Sequence, residues 1–264
     1  MAFKKLKLWF NRELAIMLSQ NILKELPSFD DSAFVRSTAS QLDSLELKAR
    51  VEVFADELYV HLNNDYELAI KILLKVLGPE NERETGMFKE YYWIMPIAKM
   101  VEKYGQCHFK LSMVALEEIT KRNTSEYAIR PFLISNYSAT MRQMTKWSKS
   151  PNSHVRRLSS EGVRPRLPWA SKLQMFIDDP KPIIPILKNL KQDNSRYVQK
   201  SVANCINDIL KDNLETGQNL IEEWMATIKS KETDWIIIHS IRNLIKKEDK
   251  WAIDIKKLID TNSS

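Results

Sequence analysis

Residues 178–198 read D-D-P-K-P-I-I-P-I-L-K-N-L-K-Q-D-N-S-R-Y-V. Prolines, an apolar run, a leucine and an aspartate follow in the order of a helix pair: one helix over Pro182–Leu190, a polar joint at Gln192–Ser195, and a second over Arg196–Lys211. Similar helix starts recur on either side. V-R-R-L-S-S-E stands at 155–161, V-Q-K-S-V-A-N at 198–204 and I-I-I-H-S-I-R at 236–242, at intervals of 43 and 38 residues. Glu126 precedes Glu161 by 35. A period near 40 with two helices in each unit predicts an all-α solenoid, the alternative being an irregular helical bundle whose spacing is accidental.

The rest of the chain fits that reading. Helical periodicity runs over 3–25, 31–41, 45–62, 66–76, 88–104 and 111–121, and again between Thr124 and Trp147, where Pro131 starts or interrupts a helix. After the helix pair come Asn219–Ile228, Trp235–Lys247 and Trp251–Ile259, with a polar joint at Lys231-Glu232-Thr233. No segment alternates with period two, and five glycines against ten prolines disfavour a many-hairpin fold. The expectation is one domain over 1–264, an α-solenoid of HEAT-like (ARM-type) repeats whose inner helices line a concave basic face.

Charge is unevenly spread. Residues 1–119 carry 15 Lys+Arg against 18 Asp+Glu, a net −3, and the remainder 25 against 16, a net +9, which together give the +6 of the chain. A basic half predicts an acidic partner, of which nucleic acid is the commonest, or else an ordinary solvated surface. With 44% hydrophobic and 28% charged residues, and no run of roughly 20 apolar residues, the chain reads as soluble and not membrane-spanning. Met1–Arg12 lacks the apolar run and cleavage site of a signal peptide. Cys107 and Cys205 lie far apart, which fits a reduced, cytoplasmic protein.

Several chemistries are excluded. No two glycines are closer than Gly78 and Gly86, so no phosphate-cradling glycine loop exists. His61, His108, His154 and His239 form no metal-protease spacing, and there is no C-x-x-C. What remains is carboxylates among cations and tryptophans. N-S-H-V-R-R-L-S-S-E-G-V-R-P-R-L-P-W-A at 152–170 sets Arg156, Arg157, Arg164 and Arg166 around Glu161. Asn152 and Ser153 can each cap a helix that starts near His154, and Gly162 is expected to stop it in the left-handed conformation. Arg157 and Glu161, four apart, share a face, as do Asn204 and Asp208. Val198, Val202, Ile206 and Ile209 are the core face of the 196–211 helix, opposite Lys200, Asn204, Asn207 and Asp208. Trp235, His239, Arg242 and Lys246 share the polar face of the next such helix, and Arg122, Glu126 and Arg130 stand at steps of four. Trp147, Trp169 and Trp235 lie beside basic segments, where an indole packs on sugar or base faces or, more simply, in a helix core.

S-E-Y-A-I-R-P-F-L at 125–133, V-R-R-L-S-S-E-G-V-R-P-R-L-P-W-A at 155–170, S-V-A-N-C-I-N-D-I-L-K-D at 201–212 and W-I-I-I-H-S-I-R-N-L-I-K-K at 235–247 resemble the AlkC branch of the AlkC/AlkD alkylpurine DNA glycosylases. The resemblance covers nearly the whole chain. It implies a HEAT-like solenoid holding damaged duplex DNA, and excision of cationic N-alkylated bases, above all 3-methyladenine, without a base-specific pocket. It places the catalytic acids at Glu126, Glu161 and Asp208, converging from neighbouring repeats. DNA contacts are then expected from Arg130, Arg156, Arg157, Arg164, Arg166, Trp169, Lys200, Asn204, His239 and Arg242. No cofactor and no metal is implied, and no lysine nucleophile, so a monofunctional enzyme acting as a monomer is expected.

Departures from the family pattern stand at Gln199-Lys200, where an Arg-Arg pair is usual and a phosphate contact is weakened, and at Cys205 and Leu210. The chain ends at Ser264, so the immunoglobulin-like carboxy-terminal domain of some relatives is not expected. Two other readings are a non-catalytic HEAT-repeat protein that binds DNA or branched junctions, and a protein scaffold with no salt-dependent DNA binding.

Overall fold

A computed structural model describes residues 4–84, 90–227 and 230–262. Among the described residues the structure is all-helical, with fifteen α-helices, three short 3₁₀ turns and no strand. No helix there is long and apolar enough to cross a membrane. The chain divides into two compact units, Met1–Tyr137 and Ser138–Ser264.

The first unit contains α1 (Arg12–Glu25), α2 (Asp31–Ser40), α3 (Leu47–His61), α4 (Tyr66–Lys75), α5 (Met95–Tyr104), α6 (Phe109–Thr120) and α7 (Arg130–Ser135). Short polar side chains set three of the starts: Asn11, Asp30 and Asp65 accept from the backbone N–H of Leu14, Ala33 and Leu68. Proline sits in the first turn of α5 and α7, where its missing N–H costs nothing. Phe10, Leu18, Phe54, Leu58 and Ile70 lie at the centre of the core with no solvent exposure.

The second unit contains α8 (from Tyr137 to Trp147), α9 (Ser153–Glu161), α10 (Gln174–Asp178), α11 (Ile184–Leu190), α12 (Arg196–Asp212), α13 (Leu214–Thr227), α14 (Lys231–Ile245) and α15 (Lys250–Asn262). The middle of this unit is α12, packed against both α9 and α14. Val198, Val202, Ile206 and Ile209 are buried along it, as the period of its apolar residues predicts. Contacts climb in step along the neighbours. Arg157 lies over the Tyr197 ring, and Glu161 accepts from Ser201. Arg196 lies over Trp235, and Arg242 donates to Asn204. Three helices from successive repeats therefore run in the same direction, which is the stacked-repeat arrangement that the sequence period implied.

Four local expectations are corrected. The segment 3–25 is not one helix: a 3₁₀ turn at Leu6–Trp9 precedes α1, because Asn11 adopts an extended backbone to cap it. Phe88 lies outside the described residues, and the described part of that segment is a 3₁₀ turn at Tyr92–Ile94 running into α5. Lys231-Glu232-Thr233 is the first turn of α14 and not a joint, since Ser230 caps it by accepting from Thr233 N. Residues 121–129 form turns and not a helix, so Arg122, Glu126 and Arg130 do not share a stripe. Arg122 instead turns back to the Gly78 carbonyl and to Glu118. Trp147 is 1% exposed and is a core residue.

Because Ile206 lies fully buried in α12, Ile206→Ala is expected to cost about 2–5 kcal/mol through lost burial and a residual cavity. Leu258→Ala, at a half-exposed position of α15, is expected to change stability by less than about 0.5 kcal/mol. Urea-unfolding midpoints of the two variants check the pair.

Candidate active site

The site is built where α9 ends. Asn152 accepts from the backbone N–H of His154 and Val155 at 3.0 and 3.3 Å and so starts α9 as expected. Gly162 follows the helix with φ −65° and ψ −30°, right-handed and not left-handed as the sequence suggested. The chain therefore does not turn away to solvent after Glu161. It carries Val163, Arg164 and Pro165 inward, all three buried, and the left-handed backbone falls instead at Trp169, with φ 66°. That conformation is costly for a bulky side chain. Trp169 is also 80% exposed.

The inward turn places Arg164 between two carboxylates. Its Nη1 donates to Glu161 Oε1 at 2.7 Å. Its Nε and Nη2 donate to the Asp208 Oδ2 and Oδ1 atoms at 2.9 and 3.3 Å. Glu161 comes from α9 and Asp208 from α12, 44 residues after the arginine. Ser201 Oγ donates to Glu161 Oε2 at 2.7 Å and exchanges a second bond of 2.7 Å with Ser160. Arg157 lies 3.5 Å from Glu161, the i,i+4 pair foreseen in the sequence. Glu161, Arg164 and Asp208 are only 5%, 8% and 8% exposed.

This geometry shifts the two acids in opposite directions. Burial pushes the Glu161 carboxyl up, but the guanidiniums of Arg157 and Arg164 and the hydrogen bonds from Ser201 and Arg164 outweigh it and hold the group below its ordinary 4.5. Asp208 is raised above its ordinary 3.8, because burial and the nearby Glu161 charge exceed the help it receives from Arg164. Perturbed carboxylates held together in one buried cluster mark a candidate functional site.

The other arginines of the 152–170 block are also internally paired. Arg156 donates to both oxygens of Asp193 at 2.6 and 3.1 Å and to the carbonyls of Ser150 and Pro151. Arg166 grips Asp212 with two bonds of 2.6 Å. The block reads in sequence as a set of phosphate clamps; in the fold it is a set of braces tying α9 and the following loop to α12. Asp193, Asp212 and Ser201 were missed in the sequence, because their partners lie 37 to 46 residues away and no local spacing shows them. Gln199 is buried and donates to the Asp193 carbonyl at 2.6 Å, so the first of the two positions where Arg-Arg is usual points inward.

Among the remaining expected residues, Lys200 is exposed on α12. Asn204 accepts from Arg242 at 2.9 Å, and His239 stacks on Trp235, ring centroids 4.7 Å apart. Burial, with Arg242, Lys200 and Arg196 nearby, lowers His239 to about 4, so it is neutral at pH 7. Glu126 and Arg130 belong to the first unit, where both are buried. Thr124 Oγ1 donates to Glu126 Oε2 at 3.0 Å and accepts from the Glu126 backbone N–H at 3.2 Å. The three expected acids thus divide between units: Glu161 and Asp208 are brought together in the second, and Glu126 is held in a turn of the first.

Removing Arg164 leaves two buried carboxylates facing one another. Arg164→Met is expected to cost about 3–5 kcal/mol at neutral pH. Both acids then rise in the folded state, which takes up protons more readily than the unfolded chain, so the variant regains stability on acidification. The wild type behaves oppositely at Glu161, whose lowered value contributes stability above 4.5 that is lost as pH falls through the folded value. Denaturant unfolding across the acid to neutral range should show the gap between the two proteins widest at neutral pH; a gap independent of pH would contradict this electrostatic account.

No family model matches the chain. It is 38% identical over 250 residues to the uncharacterized protein YhaZ of Bacillus subtilis (strain 168), over 94% of this chain and 67% of YhaZ. Its fold is similar to a solved structure of Pseudomonas fluorescens alkylpurine DNA glycosylase AlkC bound to DNA containing an abasic site analog. That match has a TM-score of 0.87 and 34% identity, over 96% of this chain and 68% of the other. Sequence and fold agree along nearly the whole of this chain, which therefore belongs to the AlkC branch of the AlkC/AlkD family of helical-repeat alkylpurine DNA glycosylases.

Proposed function

We propose that this protein is a DNA-repair glycosylase that hydrolyses the N-glycosidic bond of cationic alkylated bases in duplex DNA, with 3-methyladenine as its foremost substrate. The observation that carries the reading is the buried Glu161–Arg164–Asp208 cluster in a chain with the fold of AlkC. An alkylated base that already bears a positive charge needs no added proton to leave. It departs as a neutral base with the bonding electrons, and the deoxyribose becomes an oxocarbenium ion. Glu161, held ionised by Arg157, Arg164 and Ser201, stabilises that charge. Water then adds at C1′, and its proton passes to Asp208, whose carboxyl burial raises above its ordinary value. The products are the free base, an abasic sugar and one proton, with no strand cleavage.

Arg164 does not spend its charge on DNA in this scheme. Each carboxylate oxygen has more than one lone-pair direction, so an acid braced by Arg164 keeps acceptor capacity toward the sugar or the water. Fixing both acids before the substrate arrives avoids their reorganisation during the reaction.

Incubated with methylated duplex DNA, the purified protein should release 3-methyladenine detectable by mass spectrometry, and the same profile reports any 3-methylcytosine or 1-methyladenine. Asp208→Asn and Glu161→Gln should each slow release by about 10²-fold or more while retaining the helical fold, with Glu126→Gln testing the third acid. The wild-type rate should fall on acidification as Asp208, raised above the ordinary aspartate value of 3.8, takes up its proton. DNA binding with no release of any base would favour a non-catalytic DNA- or junction-binding protein, and full release by the double variant would remove the catalytic assignment.

A further inference from the structure

Ser159 and Ser160 of α9 and Ser201 of α12 are buried, with exposures of 0%, 0% and 2%. The two on α9 turn back onto their own helix: Ser159 Oγ donates to the Arg156 carbonyl at 2.6 Å, and Ser160 Oγ reaches the Arg157 carbonyl at 3.1 Å. Ser201 crosses between helices. Its Oγ lies 2.7 Å from Glu161 Oε2 and 2.7 Å from Ser160 Oγ. It has one hydrogen to give. The carboxylate is the stronger acceptor, so that hydrogen goes to Glu161 and Ser160 becomes the donor to Ser201. The result is a directed chain from Ser160 through Ser201 to Glu161, in which each bond polarises the next.

We propose that Ser201, backed by Ser160, is a positioning residue for Glu161 in the base-release reaction; the proposal deepens the glycosylase reading above and rests on it. Arg164 holds Glu161 Oε1 at 2.7 Å from the loop after α9, and Arg157 stands 3.5 Å from that same oxygen. Both cations therefore pull on one side of the carboxylate. Ser201 donates to the other oxygen, and it comes from a different helix. Two short bonds from separate elements fix the carboxylate plane, and each oxygen keeps a lone-pair direction for the developing charge on the sugar. Without Ser201 the group is free to swing onto the two guanidiniums and commit both oxygens to ion pairs. One face of α12 thus serves both acids, since Ser201 and Asp208 are seven residues, about two helical turns, apart. Packing alone does not call for these hydroxyls. Alanine at either position has nearly the same volume and a higher helix propensity, and it buries no polar atom. The hydroxyl pair is placed for the acid it holds.

The test combines single-turnover release of 3-methyladenine from methylated duplex DNA, affinity for undamaged duplex, and the titration of the Glu161 carboxyl by NMR. Ser201→Ala should slow release by about 10- to 100-fold with affinity unchanged, because a misplaced catalytic group costs rate and not binding. Its Glu161 carboxyl should titrate higher than in the wild type, having lost a donor to its charged form. Ser160→Ala should slow release by less, and the double variant should be no slower than Ser201→Ala alone, because Ser160 acts only through Ser201. Ser159→Ala, a buried serine of α9 outside the chain, should keep the wild-type rate. Release at the wild-type rate by Ser201→Ala would overturn the positioning role and leave the glycosylase reading standing. A slower Ser201→Ala whose Glu161 titrates as in the wild type would assign the loss to packing and overturn the role as well. No release by the wild type would remove the glycosylase reading, and the positioning role with it.

Discussion

One guanidinium set between two buried carboxylates constrains the second half of this molecule. Arg164 reaches Glu161 at the end of α9 and Asp208 in the last turns of α12, and all three are almost fully removed from solvent. Burying such a group of charges costs several kcal/mol per ion, and mutual attraction returns little more than that. A well-packed apolar cluster would hold the two helices at least as firmly. The charges are therefore better explained by chemistry than by stability, and the opposite shifts of the two acids agree with that. The local structure follows from the same constraint. Gly162 continues right-handed, so that Arg164 can turn inward, and the left-handed backbone is displaced to Trp169.

The pairing of the 152–170 arginines with carboxylates changes what the positive charge of that block means. A net charge of +6 describes the surface poorly, because the arginines of the 152–170 block are occupied by Asp193, Glu161, Asp208 and Asp212. They brace the repeats. Within α12, Ser201 and Asp208 reach toward α9 and its following loop, while Asn204 accepts from Arg242 of α14.

The repeat and its helices were legible in the sequence because they rest on local patterns: the apolar period of α12, the Asn152 cap, the Arg157–Glu161 step and the spacing of V-R-R-L-S-S-E, V-Q-K-S-V-A-N and I-I-I-H-S-I-R. Glu161 and Asp208 could be named but not joined. What joins them is an arginine in a loop, paired with an acid 44 residues away, and no spacing rule reaches that far. The same limit hid the pairs Arg156–Asp193 and Arg166–Asp212, which the sequence did not show for these arginines. Glu126 was placed on a helical stripe because Arg122 and Arg130 stand at steps of four, but the backbone there is a chain of turns. Side chains at such steps align only if the helix exists.

The claim on which the rest depends is that the buried cluster around Arg164 lowers Glu161 while it raises Asp208. Carbon-detected NMR of their side-chain carboxyls in the intact protein, followed from neutral to acid pH, measures it directly. The predicted result is Asp208 titrating above the ordinary aspartate value of 3.8 and Glu161 below its ordinary 4.5. Two carboxyls titrating at their ordinary values, or shifted in the opposite senses, would contradict the account.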